Sequence, residues 1–284
     1  MTEHEVAPPP EHPEKRKRGR PKVQAAQVPL YDIKGETKHE RLVVVYDTWH
    51  DCKRCPLHEG RLRFGDKEIV FGEGNPDSHV LIVGEAPGDE EMSKHVPFIG
   101  PAGHTLDTLL AHTTDDPEIQ KLAEWYATAP RNRENIRSFH DTMHEWRLNE
   151  FFITNVVACQ PPENRPPTNV EVKTCWERLW NTIYTVDPLI ILAFGNSALA
   201  AVARKQTVQI TKMRGQLFDV EFDGKFGKLT YPVMPLLHPS FLNRVADWKV
   251  KNGNFQRTIG DLRTAMKMLD FLRQQNYGTP IPVR

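Results

Sequence analysis

Four cysteines fall into two pairs: Cys52 and Cys55 form C-x2-C with a proline following, and Cys159 and Cys175 stand with fifteen residues between them. Proline after a ligand cysteine recurs in iron–sulfur sites. A structural zinc site more usually carries two tight C-x2-C knuckles. The spacing therefore favours a [4Fe–4S] cluster over zinc, and either over free thiols. A second group of polar residues follows apolar runs: Glu85 in "GEAPG", Asn155 in "TNVVACQPPENRPP" and His238 in "HPSFLNR". The Asn carboxamide presents a donor beside an acceptor and complements the imide edge of a flat base, while a His can donate to a carbonyl oxygen that gains negative charge. Phe98, in "HVPFIG", offers a face for stacking. The turn "GEAPGDEE" carries Asp89, Glu90 and Glu91 and lacks the lysine and hydroxyl of a phosphate loop, so it is not a phosphate cradle.

These residues need a scaffold that brings them together. Four apolar runs read as buried parallel strands: "VLIV" from Val80, "FFIT" from Phe151, "LIILAF" from Leu189 and "PVMPLL" from Pro232. "EIVFG" reads as a further short strand. Helical stretches alternate with the long runs, among them one with Val172, Trp176, Leu179 and Ile183 on a single face. That alternation predicts a three-layer α/β/α sandwich around a central, mainly parallel four-stranded sheet. Ligands of such a sheet bind beyond the carboxyl ends of its strands, where the three polar turns fall.

The chain has 284 residues and a formal net charge of zero. Its basic residues are unevenly spread: residues 1–27 form a Pro- and Lys/Arg-rich tail with little to bury, expected to be disordered, and residues 28–284 form the catalytic domain. A polar segment at about 113–150 is too long for a connection and predicts a helical insertion or lid. No apolar run reaches membrane-spanning length and no signal-peptide core opens the chain, which predicts a cytoplasmic protein, nucleoid-associated if bacterial or phage-encoded.

Together "CKRCPL", "GNPDSHVLIVGEAPGDEE", "PFIGPAG", "ITNVVACQPPENRPP", Cys175, "LAFGNSA", "RGQ" and "HPSFL" resemble the family-four, iron–sulfur uracil-DNA glycosylases. The likeness runs from about Cys52 to the C-terminal helix, interrupted by the insertion. It implies a monofunctional enzyme that flips uracil out of single- or double-stranded DNA and hydrolyses its N-glycosidic bond, and the expected assembly is a monomer. By the resemblance, Cys52, Cys55, Cys159 and Cys175 hold the cluster. Phe98 stacks on uracil, Asn155 reads its imide edge and His238 hydrogen-bonds O2. Ala86 and Gly88 line the base pocket, and Glu91 guards it near C5 against thymine. Glu85 and Asn164 position the attacking water, since Ala86 stands where the superfamily's better-known aspartate base would be. Ser240, Phe241, Leu242 and Arg244 belong to a loop entering the duplex.

Two segments depart from that pattern. The insertion contains "RNRENIRSFH", in which His140 is a loose analogue of a histidine that traps uracil sites covalently in a related subgroup. The tail contains Arg18-Gly19-Arg20-Pro21, an AT-hook-like core for a narrow minor groove or else a generic polybasic arm on phosphates. The alternatives to uracil excision are a catalytically altered uracil-DNA binding or trapping protein, and a glycosylase for another modified base.

Overall fold

The computed structural model describes residues 22–23, 33–65, 68–205, 208–224, 227–245, 247 and 250–276. In chain order its elements are β1 (Lys22–Val23), α1 (Lys38–Trp49), α2 (Leu57–Gly60), β2 (Glu73–Gly74), β3 (Val80–Gly84), α3 (Asp89–Lys94), α4 (Pro101–Ala111), α5 (Pro117–Thr128), α6 (Arg133–Glu150), β4 (Phe152–Asn155), α7 (Asn169–Val186), β5 (Ile190–Phe194), α8 (Gly195–Ala203), α9 (Ile210–Met213), β6 (Phe218–Gly224), β7 (Gly227–Leu236), α10 (Pro239–Val245) and α11 (Asn254–Asn276). They build a mixed α/β fold on one sheet of order β1-β6-β7-β5-β3-β4-β2.

The four apolar runs are the parallel heart of this sheet: β3 pairs with β4 and β5, and β5 with β7, all parallel. Every residue of β3, β4 and β5 is buried, as continuous apolar strands covered on both faces require. The chain passes from β3 to β4 on one side, then back across to β5 and on to β7. Right-handed crossovers then send α4 to α6 to one face and α7 and α8 to the other. The helix contacts agree, since α4 packs with α10 and α11 while α1 packs on α7. Around β3 the outgoing helices therefore diverge, which opens a crevice at its carboxyl end.

The sheet is wider than the four-stranded sheet expected. β6 joins β7 as an antiparallel partner and β2 joins β4 likewise. "EIVFG" is not a strand: Ile69 and Val70 donate to the carbonyls of His50 and Ala158 instead, and the short strand begins after it at Glu73. Lys22–Val23 pairs parallel to β6, so part of the segment read as a disordered tail supplies an edge strand. Arg18, Gly19, Arg20 and Pro21 lie outside the described residues. The insertion forms α5 and α6 and enters the core through Ile119, Phe139 and Met143, rather than capping the fold as a lid.

One buried cation ties the layers. Arg178 on α7 is fully buried, and its guanidinium donates to the carbonyls of Phe71, Asn155 and Val156 and to Thr154 Oγ1. Arginine stays charged, so these acceptors are the condition for its burial. Replacing it with Met should leave carbonyls at the end of β4 unsatisfied and lower stability by about 3 kcal/mol, read from the urea midpoint.

Candidate active site

A cavity of about 440 Å³ opens where β3, β4 and β7 end. It is lined by Glu85, Ala86, Gly88, Glu91, Phe98, Asn155, Asn164 and His238, so every catalytic and base-binding residue expected from the sequence meets there. Strand register explains the meeting: Gly84 lies opposite Asn155, and Phe194 opposite Leu236, two residues before His238. Two glycines make room. A Cβ on Gly84 would stand 2.3 Å from Asn155 Oδ1 and 2.5 Å from Phe98 Cζ. Gly195 has φ +90°, and a Cβ there would approach His238 Cβ to 3.1 Å.

The acidic turn is resolved by its hydrogen bonds. Asp89, Glu90 and Glu91 form the first turn of α3, where the helix dipole favours negative charge. Glu91 is buried, and its carboxylate accepts from the backbone N–H groups of Gly88 (3.0 Å), Ile99 (3.1 Å) and Gly100 (2.8 Å). Both its oxygens are thus engaged, which makes it a brace between two pocket loops as well as part of the cavity wall. The loop it braces carries Phe98, which is 5% exposed and holds φ +55° in the left-handed region.

His238 Nδ1 accepts the backbone N–H of Ser240 at 3.2 Å and lies 2.8 Å from its Oγ. A backbone amide can only donate, so Nδ1 is unprotonated and Nε2 carries the hydrogen. Burial, with Arg244 nearby, pulls the His238 pKa down to about 4. The ring is a neutral N–H donor. Glu85 accepts from Ser197 Oγ on α8, and Asn164 Oδ1 accepts from Gln160 Nε2 at 2.8 Å, which aims its amide nitrogen elsewhere.

Other lining residues carried no chemical signal of their own. Arg165 forms a two-pronged pair with Glu171 (2.9 and 2.7 Å), which holds the Glu171 carboxyl down at about 2 and fixes the loop bearing Asn164. The capping pattern Thr168-x-x-Glu171 could have flagged it. Asn243 bonds the Pro101 carbonyl at 2.9 Å and so links α10 to α4.

"HPSFLNR" is a short helix rather than a loop. Leu242 is 1% exposed and belongs to the core, so it cannot fill a gap in DNA from this position. Ser240 lines the cavity, while Phe241, Arg244 and the exposed Val245 share the other face at i, i+3 and i+4. His140 does not line the base cavity. Its Nδ1 sits 2.8 Å from Asp107 Oδ2, its ring stacks on His104, and both histidines line a separate cavity of about 810 Å³ behind Phe98. Covalent trapping by His140 has no support in this geometry.

The cysteines converge elsewhere. Cys52, Cys55, Cys159 and Cys175 all line a small apolar cavity walled by Trp49, Leu57, Ile69 and Val157. Among the described residues no three His, Cys, Asp or Glu side chains are gathered as ligands of a single metal ion. Burial pushes the Cys159 thiol up to about 12, with repulsion from the other three cysteines adding to it and Arg61 opposing it. Four thiolates there would require a positive centre beside them.

Residues 71–263 match the sequence profile of the uracil DNA glycosylase superfamily. The chain is 33% identical over 208 residues to a type-4 uracil-DNA glycosylase of Thermotoga maritima, covering 73% of this chain and 86% of the relative. Over 192 residues it is 29% identical to the type-4 uracil-DNA glycosylase of Archaeoglobus fulgidus, covering 66% and 76%.

The His238 geometry has a pH signature. Its folded-state pKa of about 4 lies below the model-compound value of 6.5, so between these values the unfolded chain binds the extra proton. Its contribution to stability should be complete above pH 6.5 and disappear as pH falls toward 4. Ring NMR should give a midpoint near 4 that rises in Arg244→Ala.

Proposed function

The chain belongs to the uracil DNA glycosylase superfamily, and from that premise we infer that it is a DNA repair glycosylase that hydrolyses the bond between uracil and deoxyribose. The observation that carries the reading is the convergence of Phe98, Asn155 and His238 in one cavity at the carboxyl edge of the sheet. The nucleotide leaves the base stack and enters the pocket, where the Phe98 ring lies along the base and the Asn155 amide pairs with its O4 and N3–H. As the C1′–N1 bond breaks, its electron pair passes to uracil. His238 Nε2–H meets the charge growing on O2, and a neutral donor suits that task because it need not surrender its proton. Water held by Glu85 and Asn164 adds to C1′ and loses a proton, leaving an abasic site.

The product and the leaving group explain why no strong base is needed: uracil departs as an anion, so stabilising O2 matters more than sharpening the water. On α10, Ser240 at the cavity wall and Phe241 and Arg244 outside it face the DNA, and Arg18–Pro21 tethers the enzyme to duplex through phosphate or minor-groove contacts. Residues 28–284 act as one catalytic domain, and the protein works as a monomer. No helix among the described residues is long and apolar enough to cross a membrane.

Cys52, Cys55, Cys159 and Cys175 fit a [4Fe–4S] cluster better than zinc. One zinc would gather all four sulfurs at about 2.3 Å from a single centre, whereas a cluster spreads its thiolates over separate irons. Bound there, the cluster supplies a structural cross-link between the segment after α1 and the segment from β4 to α7, at a distance from the base pocket.

Two measurements test this. With anaerobically purified protein and an oligonucleotide holding one uracil, the strand should break only after alkali, and His238→Ala should lower the rate about 100- to 1,000-fold. An intact strand in the wild type refutes the reading. Iron and sulfide analysis should give about four of each per chain, lost in Cys159→Ser together with a lowered melting temperature; stoichiometric zinc instead would overturn the cluster assignment.

A further inference from the structure

We propose that Arg147, near the end of the inserted helix α6, is a positioning residue for uracil excision that acts by holding the backbone of Phe98. The inference rests on the pocket reading above and gives the insertion a task in the reaction. Arg147 is 1% exposed, and both its terminal nitrogens donate to the Phe98 carbonyl at 3.2 Å. That carbonyl belongs to an aromatic residue held at φ +55°, a conformation such residues adopt only where their surroundings dictate it.

The surroundings do so at successive peptide groups. Arg147 takes the Phe98 carbonyl, Glu91 takes the N–H groups of Ile99 and Gly100, and Gly103 packs so closely that a Cβ on it would lie 1.8 Å from the Phe98 oxygen. Rotating this peptide swings the ring away from Gly84 and Asn155, opening the wall on which the base stacks. Arg147 is itself held in place: its Nε lies 3.1 Å from Asp107 Oδ1, and Nη2 donates to His144 Nδ1 at 3.1 Å. Asp107 in turn meets His140 at 2.8 Å. The chain His140–Asp107–Arg147 thus runs from α6 to α4 and back, ending on the one backbone oxygen that sets the ring. Asp107 and Arg147 are opposite in charge, so each offsets the burial of the other.

The test is a double-mutant cycle in single-turnover excision, with affinity for an abasic-site oligonucleotide as the companion measurement. Lysine keeps the charge but loses the planar fork. Arg147→Lys should slow excision about 100-fold, the scale of a misplaced reacting group, while abasic-site affinity stays unchanged because no base is there to stack. In a Phe98→Ala background the same replacement should change the rate less than about two-fold, since the group it positions is gone. Asp107→Asn combined with Arg147→Gln, which removes both buried charges together, should repeat this pattern if the lysine variant folds poorly. Equal losses in both backgrounds, or no loss in either, overturn the proposal. Wild-type protein that excises no uracil, or a Phe98→Ala variant as fast as wild type, refutes the pocket reading instead.

Discussion

The guanidinium of Arg178, sealed between α7 and the end of β4, is the interaction on which both special regions of this protein depend. It reaches carbonyls on either side of the point where β4 stops being a strand. On one side of that point the Asn155 amide enters the base pocket; on the other, Val157, Ala158 and Cys159 enter the cysteine cavity, which Arg178 also lines. A charge without its acceptors cannot be buried. The bend at the end of β4 is therefore specified by electrostatics rather than by turn residues, and a single side chain keeps two cavities in fixed relation.

The same device recurs around the pocket. Several charged groups around the base are engaged in holding the pocket walls. Glu91 gathers amides from two loops, Arg165 and Glu171 clamp the segment of Asn164, and Arg147 holds the Phe98 peptide. The groups placed to meet the base itself are neutral, an amide, an imidazole and a phenyl ring, while Glu85, Asp89 and Glu90 also line the cavity. A pocket of this kind selects a flat neutral ligand and accommodates charge only where the His238 donor points.

Local pattern and long-range partnership divide what could be read in the sequence. The apolar runs at Val80, Phe151, Leu189 and Pro232 announce buried strands because burial on both faces leaves a continuous signature, and the face of α7 is legible from its helical spacing. β6, "FDVEFDG", alternates charge with apolar residues on an edge and gives no such run. Leu242 stands beside Phe241 in the chain, and only the direction of α10 shows which of the two points inward. The pocket residues were visible through their chemical types. The bonding of Glu91 and His140 was not legible because a carboxylate or imidazole is defined by its partner, and those partners, the Ile99 and Gly100 amides and Asp107, come from other elements.

The empty space at Gly84 bears on how this pocket can change over evolutionary time. The ring of Phe98 and the amide of Asn155 meet over a carbon that bears no side chain, and every other amino acid begins with the atom that would strike both. No single codon change at this position can adjust the site by degrees; any replacement displaces the stacking wall and the base-reading group at once. A side chain at residue 84 can be accommodated only after residue 98 or 155 has given way. The order of mutational steps among these three positions is thus written into a missing methyl group.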